Sequence, residues 1–273
     1  MSKTILTLQQ EREIIDKYVN LKYSKQKLSK EYNISTGTVD RALKRNNIHV
    51  RTVQESNVSK YYINQKFFEY ENQNANSAYV LGLLASDGCV ARNENCIYIE
   101  LQQSDKEILE QVNLLLENQR EVKDYIRKDG SKNSKLYFFS KKMKDDLAFY
   151  DIIPNKTYEA DDFIKNIKIE YIGDFLRGFF DGDGSIVDAN GTPKWQLDGA
   201  CLKTFQHIQK ILNEYFSINV NICENTDARS TIPKYRLYCY SQIKCQKIFN
   251  LLYKNTNCIK LHRKYNRFLE LLK

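Results

Sequence analysis

The sequence contains no run of about 18 or more apolar residues, no CxxC pair and no GxxxxGK[ST] stretch, and its three histidines lie far apart. Without a long apolar run, no membrane-spanning helix is expected. Seven cysteines (Cys89, Cys96, Cys201, Cys223, Cys239, Cys245, Cys258) are odd in number and never paired as zinc ligands. They read as small buried hydrophobes in a reducing compartment, cytoplasm or organellar matrix. The missing phosphate-binding stretch gives no sign of nucleotide hydrolysis. His49, His207 and His262 match neither an HNH nuclease nor a zinc site and are expected to be structural or surface residues. The opening MSKTILTLQQ lacks the apolar core of a secretion signal, so secretion is not expected.

Of the residues present, 42% are hydrophobic and 28% charged, ordinary proportions for a globular protein. A length of 273 residues allows two domains, or a small module joined to a larger one. The formal charge of +8 is uneven: residues 1–60 carry twelve Lys or Arg against six Asp or Glu. A basic excess suggests a polyanion, because neutralising phosphates is the sequence-independent part of DNA binding. An AT-rich genome would also enrich Lys, Asn and Ile, so charge alone does not decide the matter.

Residues 9–46 predict three short helices, marked by Ile14, Ile15, Tyr18 and Val19, by Leu28 and Tyr32, and by Val39, Ala42 and Leu43. In the intervening YNISTGTV, Asn33 ends the second helix and Ser35 caps the third near Thr38, a helix-turn-helix pattern. Burying Val39 and Leu43 leaves Thr36, Thr38, Asp40, Arg41, Lys44 and Arg45 on the opposite face, suited to a major groove. Residues 51–75 read as a linker whose aromatics, in YYINQKFFEY, dock on a neighbouring domain.

From residue 75 the order helix, β-hairpin, helix, β-hairpin, helix occurs twice, predicting halves at 76–165 and 166–273. The fold class is therefore α+β, two pseudo-symmetric αββαββα halves plus a small all-α module over residues 1–50. Each half opens on one pattern, VLGLLASDG at 80–88 and LRGFFDGDG at 176–184, with Asp87 and Asp183 96 residues apart. Ala78, Gly82 and Ser86 share one face of the first helix, and Gly178 and Gly182 one face of the second, so two backbones can approach closely. Packed along these faces, the helices bring Asp87 and Asp183 together at the negative ends of two helix dipoles. Such a pair needs positive charge, and carboxylates with nearby carbonyls are hard ligands of the kind Mg²⁺ takes, which points to phosphodiester hydrolysis.

Over about residues 76–273 the chain resembles the LAGLIDADG homing endonucleases in their single-chain, two-motif form. The resemblance implies motif helices at the interface between halves and hairpins forming a DNA-binding saddle. It also implies cutting of double-stranded DNA across the minor groove to leave 3′ overhangs, at a long, asymmetric site. It further implies two or three divalent ions, Mg²⁺, held by Asp87 and Asp183 with the Ser86 and Gly182 carbonyls. A polar residue near the metals is expected at Gln103, with no clear partner in LDGACLK, and basic residues are expected at Lys156 and Lys260. Arg127, Lys128, Lys135, Lys194, Arg229, Lys234 and Arg236 on the hairpins are the expected DNA contacts of the halves. One departure is plain: Ala85 stands where the family has its first aspartate, which Asp181 retains in the second motif. The chain is expected to be a monomer. Two alternatives are a DNA-binding regulator on an inactive body of this kind and an RNA-splicing maturase with intron RNA as partner. The helix-turn-helix favours DNA, since A-form RNA does not admit a recognition helix into its deep groove.

Overall fold

A computed structural model describes residues 6–21, 23–51, 62–225, 232–255 and 257–273. The chain divides into two compact units, one of residues up to Ile63 with Asn118–Arg120, the other of Asn64–Glu117 and Glu121–Lys273. No helix among the described residues is long and apolar enough to cross a membrane.

The first unit holds α1 (Leu8–Val19), α2 (Lys25–Glu31) and α3 (Thr36–Arg45). Its core gathers Ile14, Tyr18, Leu28, Ile34, Val39 and Leu43, spaced so that each helix turns one apolar stripe inward. Side-chain oxygens of Thr7, Ser24 and Ser35 cap the three helices, each accepting from a backbone N–H three residues on. Between α2 and α3, Asn33 adopts a φ of 51°, the left-handed conformation that asparagine tolerates and that lets the chain reverse within a few residues.

The second unit repeats one layout. Its first half runs α4 (Ala75–Asp87), β1 (Gly88–Val90), β2 (Cys96–Gln102), α5 (Lys106–Leu115), β3 (Lys123–Ile126), β4 (Lys132–Phe139) and α6 (Lys141–Phe149). A short helix, α7 (Lys156–Glu159), leads on. The second half runs α8 (Ile172–Asp183), β5 (Gly184–Ala189), β6 (Thr192–Gly199), α9 (Leu202–Phe216), β7 (Asn221–Asn225), β8 (Lys234–Tyr240) and α10 (Gln242–Leu252), with α11 (His262–Leu271) closing the chain. Each half builds a four-stranded antiparallel sheet, ordered β1-β2-β4-β3 and β5-β6-β8-β7. The registers correspond: Gly88 faces Ile99 in the first sheet and Gly184 faces Leu197 in the second. Alternation drives Ile97, Ile99 and Leu101, and Trp195 and Leu197, into the core while their neighbours stay partly exposed.

One local expectation shifts. The turn expected over DGSKNS is shorter, because Arg127 closes onto Ser131 around Gly130, at φ 85°, and Lys132–Ser134 join β4 opposite Ile126–Asp124. Within the expected linker, Phe67 and Phe68 are buried in the second unit, edge to face.

Candidate active site and nucleic-acid surfaces

The helices α4 and α8 meet at backbone contact, which their glycines permit. A Cβ on Gly82 would lie 2.0 Å from the Phe175 carbonyl oxygen, and one on Gly178 would lie 1.9 Å from that of Tyr79. At the helix ends, a Cβ on Gly182 would lie 2.0 Å from Ser86 Oγ and 2.9 Å from Asp87 Oδ2, so Asp87 rests against the residue preceding Asp183. Desolvation, with the Asp183 charge adding to it, pushes the Asp87 carboxyl up to about 6; desolvation raises Asp183 as well.

Two lysines answer this negative end. Lys156 donates to the carbonyls of Ser86, at 3.0 Å, and Gly88. Lys264, almost fully buried, spends its three N–H groups on the carbonyls of Phe180, Asp181 and Gly182, at 2.7, 2.8 and 2.8 Å. A cation on terminal carbonyls complements each helix dipole. Burial lowers both ammonium groups, Lys264 to about 8.

Asp181 is structural in its contacts. Buried between the motif helices, it accepts from Tyr79 Oη at 2.8 Å and from the Leu261 backbone at 2.9 Å, joining α8 to α4 and to the approach to α11. At the same 96-residue spacing Ala85 corresponds to Asp181 and Tyr79 to Phe175, so the position that would match the Tyr79 hydroxyl carries none. Removing the phenol with Tyr79→Phe leaves a buried carboxylate one donor short, and a loss of about 1.5–3 kcal/mol is expected. An unchanged denaturant midpoint for that variant would show that the bond carries no stability.

One expected placement is corrected. The Lys260 ammonium donates to Cys258 O at 3.2 Å and lies over the Tyr265 ring, and it is Lys264, one helical turn on, that holds the position matching Lys156. Gln103 is exposed in the turn directly after β2. The Ser86 and Gly182 carbonyls, expected beside the metal, accept from Lys156 and Lys264, and each keeps a second lone pair. The sheet registers equate Asp198 in LDGACLK with Glu100 rather than with Gln103, and Asp198 lines a cavity of about 230 Å³ together with Asp183, Lys156, Lys234 and Ala85. Lys264 was findable, because aligning Ile153 with Leu261 puts a lysine three residues later in both halves. Asp105, buried and held by Arg263, had no local signal.

Among the described residues no cluster of three or more His, Cys, Asp or Glu side chains could hold a metal ion. The donors nonetheless fit a hard divalent cation that keeps its waters: two desolvated carboxylates at adjoining helix ends.

The basic candidates are widely engaged. On the first sheet Arg127 Nε donates to Glu100 at 2.9 Å, and Lys135 lies 4.0 Å from Glu100 and 3.4 Å from the centre of the Tyr98 ring. On the second, Arg236 pairs with Asp198 at 2.8 Å and Lys194 lies over Tyr238. Lys128 is exposed, Lys234 lines the cavity, and Arg229 falls outside the described residues. On α3, Thr36 and Lys44 are exposed, Arg41 donates to Gly37 O and Thr38 Oγ1, and Arg45 pairs with Glu11 at 2.9 Å.

Comparison with known proteins places this geometry. The LAGLIDADG-like domain family matches residues 74–159 and 170–249, one copy per half. An uncharacterized protein of Methanocaldococcus jannaschii is 32% identical over 151 residues, 55% of this chain and 54% of that protein, so the chain spans about half the length of this curated relative. The homing endonuclease I-WcaI bound to its DNA recognition sequence shares the fold, with a TM-score of 0.51 at 13% identity over 82% of this chain and 97% of that one. Full-length DUF199/WhiA from Thermatoga maritima is similar at a TM-score of 0.49 and 15% identity, over 78% and 67% of the two chains. Two motif helices packed through glycine, two matching sheets and a family match to both halves have one conclusion: this chain belongs to the LAGLIDADG-like domain family.

Proposed function

We propose that the protein is a site-specific endonuclease that hydrolyses both strands of double-stranded DNA with Mg²⁺, leaving 3′ overhangs. One observation carries the reading: Asp87 and Asp183 lie at adjoining ends of helices in backbone contact, desolvated and without bulk between them. A bound divalent ion would supply charge neutralisation at the phosphate and a water made more acidic. Asp87 and Asp183 would hold it. Lys156 and Lys264 fix the helix ends and their positive charge keeps the carboxylates from rising further. Side chains on the outer faces of the sheets, among them Tyr98, Lys135, Lys194 and Gln196, offer hydrogen-bonding and stacking groups to a groove. The fold-sharing homing endonuclease bound to DNA supports the same substrate.

The test is incubation with a randomised duplex library and Mg²⁺, followed by sequencing of the ends. One recovered long, asymmetric site cut to 3′ overhangs is the expected result; tight binding with no cutting in Mg²⁺ or Mn²⁺ would leave a DNA-binding protein on an inactive body. Since one chain supplies both halves, it acts as a monomer, and sedimentation at twice 32.2 kDa would contradict this.

Residues 1–50 we assign as a helix-turn-helix module that adds affinity through α3 without performing chemistry. Deleting them is expected to weaken DNA binding and flatten its salt dependence while cut positions stay the same. A truncated protein that binds as tightly but no longer cuts would refute this division.

A further inference from the structure

The two motif aspartates have unlike surroundings. The first turn of α11 is fastened to the second half, since Leu261 N–H binds Asp181 and Lys264 binds the Gly182 carbonyl. Between them, Arg263 reaches the other way. Its Nε lies 3.0 Å from Asp105 Oδ1 and its Nη2 2.7 Å from Oδ2, a two-point contact with a first-half carboxylate in the turn directly after β2. Asp105 is only 7% exposed, whereas the Arg263 side chain is 55% exposed. A buried carboxylate thus grips one edge of the guanidinium and the remainder faces outward. Beyond Asp105, the charges of Asp181 and, less strongly, Asp87 act on Arg263. The contact uses the Nε–Nη2 edge and leaves two N–H donors on Nη1, aimed by a fixed fork.

On the Asp183 side, among the described residues, the acid–arginine pair is Asp198 with Arg236, both of the second half and with the carboxylate 33% exposed rather than buried, and Asp183 is flanked by Lys156, Lys234, Asp198 and the 230 Å³ cavity.

We propose that Arg263 is a catalytic residue for one of the two strands, its guanidinium donating to the scissile phosphate on the Asp87 side, with Asp105 as its positioning residue. This rests on the endonuclease reading. In the hydrolysis, a water oxygen bonds to phosphorus, the bond from phosphorus to the leaving sugar oxygen breaks, and that oxygen ends protonated. Arg263 transfers no proton; its N–H groups stabilise the negative charge that grows on the phosphoryl oxygens. An ammonium at the same place lacks both the fork and the grip on Asp105. The two strands therefore differ in their dependence on residue 263.

The test uses the full-length protein and the target recovered from the library, with each strand end-labelled in turn. Arg263→Ala is expected to slow one strand at least tenfold more than the other, so that nicked duplex accumulates. Arg263→Lys should not restore the wild-type strand ratio, and Asp105→Asn should shift it in the same direction by less. The ratio is read within one sample, so a reduced folded fraction does not alter it, and Arg263→Gln provides a second variant should the alanine form fail to fold. A wild-type enzyme cutting both strands whose ratio is unmoved by Arg263→Ala and Arg263→Gln would overturn the assignment alone. A wild-type protein that cuts neither strand would overturn the endonuclease reading as well.

Discussion

Asp87→Asn and Asp183→Asn should each abolish double-strand cutting while target binding stays within a few-fold of wild type and the metal-free melting temperature stays level or rises. The amide keeps the size of the carboxylate but removes the charge that would hold a divalent ion. It also removes an unfavourable charge. Burial and the Asp183 charge push Asp87 from 3.8 up to about 6, so the folded protein carries ionised Asp87 at neutral pH at a cost the unfolded chain does not bear. The carboxylate is only partly buried, and solvent screening limits the gain on neutralising it to on the order of 1 kcal/mol. The sign in pH follows. Between about pH 4 and 6 the folded state holds a proton on Asp87 that the unfolded state has released, so this group's contribution to stability falls as pH rises through that window. Above it the cost is constant. Asp87→Asn should therefore flatten the wild-type decline between pH 4 and 6. A variant that melts lower without metal and still cuts both strands would sink the catalytic assignment.

Gly178→Ala should be strongly destabilising. The added Cβ would lie 1.9 Å from Tyr79 O and 2.9 Å from Leu83 N, and at Gly82 it would meet Phe175 O at 2.0 Å and Phe179 N at 2.8 Å. These are helix backbone atoms, which cannot swing aside as a side chain tip can, so α4 and α8 must separate by more than 1 Å. Alanine favours a helix over glycine by about 1 kcal/mol, but overpacking a seam of backbone contacts costs more, and a net loss above about 3 kcal/mol is expected. For a unit of this size that corresponds to a melting temperature lower by at least about 6 °C. Separating the helices also draws Asp87 away from Gly182, so cutting should fall with stability. A melting temperature within about 2 °C of wild type would mean that the two helices do not pack through their glycines.

Much of this was legible in the sequence because it was written locally. The strand Cys96–Gln102 follows from strict alternation, and the cap of α3 from Ser35 three residues before Thr38. The repeat of a small-residue helix ending in Asp-Gly identified the seam and both aspartates, since residues four apart in a helix share a face whatever surrounds them. The positions that were misplaced depend on partners distant in the chain. Lys260 and Lys264 are both lysines near the start of one helix, and only the docking of α11, through Leu261 on Asp181 80 residues earlier, decides which ammonium reaches the α8 carbonyls. Asp198 counts as the counterpart of Glu100 only once Gly184 is known to face Leu197, a register the isolated strand does not contain. Periodicity and motif thus determined the fold class, the family and the pair of acids. The counter-charges were decided by the tertiary structure: which lysine caps each helix, and that Arg263 crosses 158 residues to Asp105, because electrostatic partners are selected by distance in space and not by spacing along the chain.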